Sequence, residues 1–423
     1  MAEPFNTPVS GPTPVPGATP VIGTPVPGAT PRATSPVHEV QETTTKPIVL
    51  HIGDPIRYNP ETYAEFERHF TIVRPERAER QRPGFVRGLR EGRWGNFAAI
   101  FRPFWGSGGE MGDWDAELIS LLPASCRVFA SAGAGFDWAD TKLLGERGII
   151  YCNSGLAAAE AVSDFAVAMV ISTFRHLAWC IAAASVSSQT FRVSHNTATG
   201  LSHNLRGHVL GLIGMGNIGQ SLAAKLGCVA FGMQIHYYDV VRKPEALEKE
   251  LGATYHATLS GLLGASDCVV LCTPASIDGK PLLTREAIAL MKPGARFVNV
   301  ARGSLVDEEA LAEALEDPAE ERVSEASEDK KDIRGRLSAA AIDVHANEPT
   351  VNPRLLRLAS LEATTATISS NFSAVPARLM LTCHNAGGTV ETHQGFEELC
   401  MRNILAVLNG RPALTPVNLQ YLK

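Results

Sequence analysis

From Lys46 onward the chain switches between two hydrophobic rhythms. Short apolar runs of strand length alternate with stretches in which apolar residues return every three or four positions, the helical spacing. Residues 46–54 (Lys-Pro-Ile-Val-Leu-His-Ile-Gly-Asp) open the series as a buried strand. Residues 61–92 read as helical and charged, with a break at Arg82-Pro83-Gly84. Strands over 96–102 and 127–131 flank a helix over 115–122, and a further helix–strand unit ends at Asn153. Residues 157–184, with Ala161, Phe165, Met169, Val170 and Phe174, read as one long helix that is apolar all round. Such helices are buried, and this one lies between two α/β units as a candidate connector and subunit interface. Residues 185–206 read as polar and irregular. Strands follow at 209–213, 234–239, 267–274, 295–302, 339–344 and 378–384, separated by helical segments and closed by a helix over 402–408. Strands alternating with helices predict an α/β fold of parallel, doubly wound sheets with right-handed crossovers.

Three stretches stand outside this rhythm. Residues 1–46 are rich in Pro, Thr, Gly and Ala, and the octapeptide Thr-Pro-Val-Pro-Gly-Ala-Thr-Pro at 13–20 recurs at 24–31. Dense proline forbids helix, and few large apolar side chains offset the ordering entropy, so a disordered tail is expected. The tail lacks the charged start and apolar core of a secretion signal and has little arginine for a transit peptide. Residues 317–336, charged and mixed in sign, and 359–376, rich in Ser, Thr and Ala, read as surface loops.

Composition narrows the class. A hydrophobic content of 45% supports a large core, and a net charge of -6 gives no general reason to bind nucleic acid or an anionic membrane. No apolar run reads as a membrane span of about 20 residues. The eight cysteines form no C-x-x-C pair and sit mostly in apolar runs. That argues against a zinc site or disulfide framework and for a reducing, cytoplasmic setting.

The most informative stretch begins at Val209. A strand-length run to Ile213 leads into Gly214-Met-Gly-Asn-Ile-Gly219, and Ile218, Leu222 and Leu226 then share a helix face. Gly214 permits the tight turn, Gly216 admits a pyrophosphate, and Gly219 allows close helix–strand packing. The helix N-terminus turns free N–H groups and a positive dipole end toward the phosphates. Asp239 ends the next strand, placed to accept hydrogen bonds from the adenosine ribose hydroxyls. A carboxylate there repels a 2′-phosphate, so NAD is expected over NADP, with Arg242 close enough to soften that preference.

Ionisable residues also gather at predicted strand ends: Arg302, Asp343 and His384, with Glu348 in the turn after Asp343. Such ends converge at the crevice of a doubly wound sheet. Hydride transfer to a ketone needs a cation to hold the substrate's anionic group, a proton donor for the developing alkoxide and a carboxylate to keep that donor charged. Arg302, His384 and Glu348 fit these roles in that order; taken singly, each is equally an ordinary turn residue.

The motifs named so far, with Cys272-Thr-Pro274, Asn299-Val-Ala-Arg-Gly303, Ile342-Asp-Val-His-Ala-Asn-Glu-Pro349 and His384-Asn-Ala-Gly-Gly388, stand in an order that resembles the D-isomer-specific 2-hydroxyacid dehydrogenase family. Within it, the likeness is to fungal D-mandelate dehydrogenases, through His51-Ile-Gly-Asp-Pro55, Ala132-Gly-Ala-Gly-Phe-Asp-Trp138, Arg206-Gly-His-Val-Leu-Gly211 and Tyr237-Tyr-Asp-Val240. The resemblance implies two domains about a deep cleft. A flavodoxin-like substrate domain takes 47–156 and 389–423, and a Rossmann-like cofactor domain takes 157–388. It implies Arg302 as the carboxylate anchor, His384 as acid/base and Glu348 as its partner. The loop Ala132, Gly133, Ala134, Gly135 would bind the substrate carboxylate through backbone N–H groups. Cofactor contacts are implied at Gly214, Gly216, Asn217, Ile218, Gly219, Asp239, Thr273, Pro274, Val300, Ala301, Arg302, Asp343 and His384, and no metal is required. Cys383 stands where the family usually has Pro, and Asn385 where Ile is common. A homodimer is implied. Phe104, Trp105, Phe136 and Trp138 either line a pocket for a bulky group such as that of phenylglyoxylate or are core residues. Glyoxylate or hydroxypyruvate is the alternative substrate, and a non-catalytic NAD(H)-sensing corepressor-like protein is the alternative of another class.

Overall fold

A computed structural model of the chain describes residues 46–104, 106–276, 279–316, 332–360 and 378–423. The Pro/Thr-rich tail up to residue 45, Trp105 and most of the two expected surface loops (317–331 and 361–377) lie outside the described residues.

Five strands make the first sheet: β1 (Ile48–His51), β2 (Thr71–Val73), β3 (Ala99–Arg102), β4 (Val128–Ser131) and β5 (Ile150–Cys152), in the order β2-β1-β3-β4-β5. Seven make the second: β6 (Val209–Ile213), β7 (Gln234–Tyr238), β8 (Ala253–Tyr255), β9 (Cys268–Leu271), β10 (Ala295–Asn299), β11 (Leu337–Ile342) and β12 (Leu379–Leu381), in the order β12-β11-β10-β9-β6-β7-β8. Every pairing is parallel. The strand order reverses between β1 and β3 in one sheet and between β6 and β9 in the other, so loops diverge there and leave a crevice at the carboxyl ends. This is the expected pair of doubly wound sheets, flavodoxin-like and Rossmann-like.

Helices on both faces explain why β3, β4, β9 and β10 are buried at every residue and read as mainly apolar runs. The helix Gly155–Arg175 lies against the second sheet, with Met169, Val170 and Phe174 fully buried beside Leu212, Leu222 and Val270. The final helix, Val390–Leu408, returns to the first sheet, where Cys400, Met401 and Ile404 share a core with Val49, Phe66 and Val128.

Several expectations are corrected. The long apolar stretch is two helices, Gly155–Arg175 and Leu177–Val186, because His176 takes a left-handed φ of 48°. Its first part, 21 residues, is long and apolar enough to cross a membrane, contrary to the reading that no run reaches that length; its buried face makes it a core helix. Residues 188–201 are helical rather than irregular. Ser187 starts that helix with a reciprocal side-chain cap on Thr190, which offsets its polar, Thr-rich sequence. Arg82-Pro83-Gly84 opens the helix Arg82–Arg90, since proline suits the first helical turn. The strands β2 and β8 and the helix Glu245–Leu251 are additional elements.

Candidate active site

The turn after β6 is shaped by contacts a side chain would block. Gly214 has φ 101°, and a Cβ there would stand 2.8 Å from the Cys272 carbonyl oxygen and 3.2 Å from Thr273 Cα. A Cβ on Gly219 would lie 2.3 Å from the Gly214 oxygen. Around Gly216 a Cβ would meet nothing within 4 Å, which is the open face the turn offers to a ligand. Asn217 and Ile218 begin the helix Asn217–Gly227, whose N-cap, Gly216, makes no side-chain cap. Its first N–H groups face that opening, and Thr273-Pro274 flank it. These residues fit a dinucleotide pyrophosphate.

Asp239 stands at the end of β7 as expected. Its Oδ2 accepts from the Met215 N–H at 2.9 Å and faces the Lys243 ammonium at 3.1 Å. Burial pushes the Asp239 carboxyl up, but the Met215 N–H and the ammonium outweigh it and hold it below the ordinary carboxylate range. Arg242 is drawn elsewhere, onto both oxygens of Glu248 at 2.9 and 2.8 Å.

The three ionisable groups expected at strand ends leave three adjacent strands at one level, since Asn299 pairs with Ile342 and Ile342 with Leu381. Arg302 follows β10, Asp343 follows β11 and His384 follows β12. Val300 and Ala301 are buried, and the Asn299 side chain braces their turn, donating to the Arg302 carbonyl at 2.9 Å and accepting from the Ala301 N–H at 3.0 Å. A Cβ on Gly303 would lie 1.9 Å from the His345 carbonyl carbon, so this turn rests directly on the loop that carries Glu348.

Glu348 reaches His384: its Oε2 meets the His384 Nδ1 at 2.7 Å, while its Oε1 accepts from the His345 N–H at 2.9 Å. A carboxylate on Nδ1 fixes the ring so that Nε2 carries the exchangeable proton. His384 has φ 53°, a left-handed conformation that costs an L-residue roughly 1–2 kcal/mol. Asp343 holds it there. Its carbonyl accepts from the His384 N–H at 2.7 Å, and its buried carboxylate accepts from Thr382 Oγ1, Asn385 N–H and Ala386 N–H at 2.6, 3.0 and 2.9 Å. Asp343, where a cofactor contact is implied, has 1% of its surface exposed. Cys383 is exposed, and Asn385, two residues on, gives its N–H to Asp343.

The other side of the cleft is backbone. After β4, the chain runs Ser131-Ala132-Gly133-Ala134-Gly135, and its carbonyls point down into the first sheet's hinge. Ser131 O accepts from Ser154 Oγ at 3.0 Å, Gly133 O from Ser154 N–H at 2.9 Å and Ala134 O from Asn153 Nδ2 at 2.8 Å. Ala132 N–H is taken by the Arg102 carbonyl at 2.7 Å. Among the described residues, nothing accepts from the N–H groups of Gly133, Ala134 or Gly135. Arg302 crosses the cleft to this loop, its Nε 3.1 Å from Asp137 Oδ1.

Of the aromatic candidates, Phe136 and Trp138 pack toward the core around Phe129 and Tyr151, and Trp138 also lies under the Arg102 guanidinium at 4.8 Å. Phe104 lies on His393 with ring centres 4.9 Å apart, and Tyr58 stacks on His393 at 6.2 Å. Sequence reasoning missed Asn299, Asp137, Asn153 and Thr382 as site residues; Asn299, Asp137 and Asn153 carried a signal, by standing inside family-like motifs, Asn153 in Asn153-Ser-Gly.

The assembled site can hold an anionic carboxylate and exchange one proton beside a dinucleotide turn. Residues 167–329 match the family model of the D-isomer specific 2-hydroxyacid dehydrogenase NAD-binding domain. The chain is 31% identical over 323 residues to a glyoxylate reductase of Thermococcus kodakarensis, covering 73% of this chain and 81% of the relative. The chain belongs to the D-isomer-specific 2-hydroxyacid dehydrogenase family. Like the other members of this family it is an oxidoreductase with a nicotinamide dinucleotide domain. It is also 28% identical to 4-methyl-2-oxopentanoate reductase A of Aspergillus oryzae, over 88% of this chain and 98% of the relative. The holo structure of D-mandelate dehydrogenase from Rhodotorula graminis superposes with a TM-score of 0.76 at 35% identity, over 88% of this chain and 98% of that one.

Proposed function

We propose that this dehydrogenase uses NADH to reduce a 2-oxo acid bearing a bulky apolar group, with phenylglyoxylate and D-mandelate as the fitting pair. The observation that carries the reading is the His384–Glu348 pair at strand ends level with that of Arg302, whose guanidinium reaches the loop of Gly133, Ala134 and Gly135. Residues 47–156 with 389–423 then serve as the substrate domain, and 157–388 as the cofactor domain.

Arg302 takes the substrate carboxylate, with the N–H groups of Gly133, Ala134 and Gly135 as further donors. Bound NADH supplies the hydride for the carbonyl carbon. His384 gives its Nε2 proton to the carbonyl oxygen, and Glu348 at Nδ1 stabilises the charged ring before that transfer. Reduction therefore delivers the Nε2 proton to the new hydroxyl, and oxidation returns a proton to Nε2.

Asp239 supports NADH over NADPH, because its anionic form repels a 2′-phosphate and Arg242 is tied to Glu248. Phe104 and Tyr58, flanking His393 beyond the ends of β3 and β1, support a large apolar substituent. The Rhodotorula likeness points the same way, while the Thermococcus relative supports glyoxylate within the second reading of glyoxylate or hydroxypyruvate. Leu177, Ile181, Val186 and Phe191 are exposed on neighbouring helices and suit a homodimer contact. We place the protein in the cytoplasm, as its free cysteines favour. NADH and NADPH oxidation with a panel of 2-oxo acids tests the reading. Turnover of phenylglyoxylate above glyoxylate supports it, the reverse order supports the second reading, and tight NADH binding without any turnover points to a sensor.

A further inference from the structure

We propose that Asp137 is the positioning residue for Arg302, and that Gly135 provides the surface on which the guanidinium lies. This deepens the reading of Arg302 as carboxylate anchor and rests on it.

Two glycines of the 132–138 loop are glycine for different reasons. Gly133 has φ 92°, a torsion that L-residues rarely adopt. Gly135 has no such torsion, yet a Cβ there would fall 1.2 Å from Arg302 Nη2, 2.5 Å from Arg302 Cζ and 3.1 Å from Asp137 Oδ1. The space a side chain would occupy is filled by an arginine from the other sheet. Two partners fix that arginine's remaining freedom. Asp137 Oδ1 accepts from Nε at 3.1 Å, and the Ala301 carbonyl accepts from Nη1 at 2.7 Å. Arginine has five N–H donors. These two bonds use two of the five, so Nη1 keeps one donor and Nη2 both for a carboxylate to take with the two nitrogens.

The cradle is itself rigid. Ser154 and Asn153 hold its carbonyls from below, as does the Arg102 carbonyl its first N–H. A substrate carboxylate thus meets a guanidinium already oriented, and binding forfeits less side-chain freedom. Asp137 accepts from Nε and does not contest these Nη donors. It acts through Arg302, without touching substrate.

The experiment measures steady-state kinetics of the full chain with phenylglyoxylate or, failing turnover, glyoxylate. Asp137→Ala is expected to raise KM about tenfold with kcat nearly unchanged, since only the anchor's geometry is loosened. Asp137→Asn, whose amide oxygen still accepts from Nε, recovers part of the loss. In an Arg302→Ala background, Asp137→Ala adds nothing, as expected of residues acting as one unit. Gly135→Ala, which drives a methyl into the guanidinium, raises KM as well. NADH affinity and melting temperature report that the fold is kept. An unaltered or lowered KM in Asp137→Ala, or losses that multiply in the double variant, would overturn the proposal while a crippled Arg302→Ala leaves the anchor standing. If Arg302→Ala keeps full kcat/KM, the anchor reading itself fails.

Discussion

On the seven-strand side of the cleft the reacting groups are side chains: an arginine, an imidazole and a carboxylate delivered from neighbouring strand ends. On the five-strand side the corresponding loop offers three backbone N–H groups and one carboxylate, Asp137, that accepts from the arginine. The first side must change charge during the reaction, and it is braced at every atom that could drift, by Asn299, Asp343 and Thr382. The second must recognise an anion without exchanging a proton, and backbone donors do this with nothing to titrate. Substitutions of the proton-exchanging pair, His384 and Glu348, should therefore reach turnover, and those of the anion-binding groups, the loop and the Arg302 that crosses to it, should reach substrate affinity.

The largest test is His384→Ala. Turnover is expected to fall about 10²- to 10⁴-fold with NADH affinity retained, as measured by fluorescence titration. Full activity in that variant would dissolve the contrast. Next is Arg302→Lys, where a point charge replaces a planar fork; kcat/KM should drop on the order of 10²-fold, mostly through KM. A lysine variant with wild-type KM would show that charge alone suffices. Asp239→Ser moves the question to the far end of the cofactor. The ratio of kcat/KM for NADH to that for NADPH should fall about tenfold, and no change would remove Asp239 as the discriminating group.

The smallest effect separates the sides by stability. His51, at the end of β1, and His176, at the helix break, are both buried, and burial lowers each from the ordinary 6.5 to about 4. For His51 a backbone hydrogen bond at Asp54 opposes burial more strongly than Arg74 or Arg80 assists it, and for His176 Arg296 assists burial more than a backbone hydrogen bond at Leu201 opposes it. The unfolded chain then takes up protons first. Stability is complete above pH 6.5 and is lost as pH falls toward 4, by on the order of 2–3 kcal/mol for each ring. Thermal melts across this window should show the decline, and His176→Asn, which tolerates the left-handed backbone, should flatten it. A melting temperature independent of pH there would refute the assignment.

How much of this could be read from residues alone follows from range. The buried strands announced themselves because parallel strands covered on both faces are continuous apolar runs. The edge strands β2 and β8, three residues each and partly exposed, carry no such signal. The helix Ser188–Leu201 was hidden by its polar composition, its start marked only by Ser187 and Thr190. His176 ends a helix without Gly or Pro to mark it. Arg302, Glu348 and His384 were legible because local motifs carry them. Asp343's hold on the His384 loop and Asp137's hold on Arg302 were not, since each depends on partners 42 and 165 residues away.

The matched register of β10, β11 and β12 has an evolutionary consequence. All three strands release their functional residues from the same height, so the spacing between strand and residue is a ruler marked in single amino acids. Adding or deleting one residue past any of these strands would shift its cargo by about 3.3 Å while the sheet itself still formed. Chain length in these three short spans is therefore under tighter constraint than the identity of most side chains within them, and homologous chains should vary there by exchange and almost never by insertion.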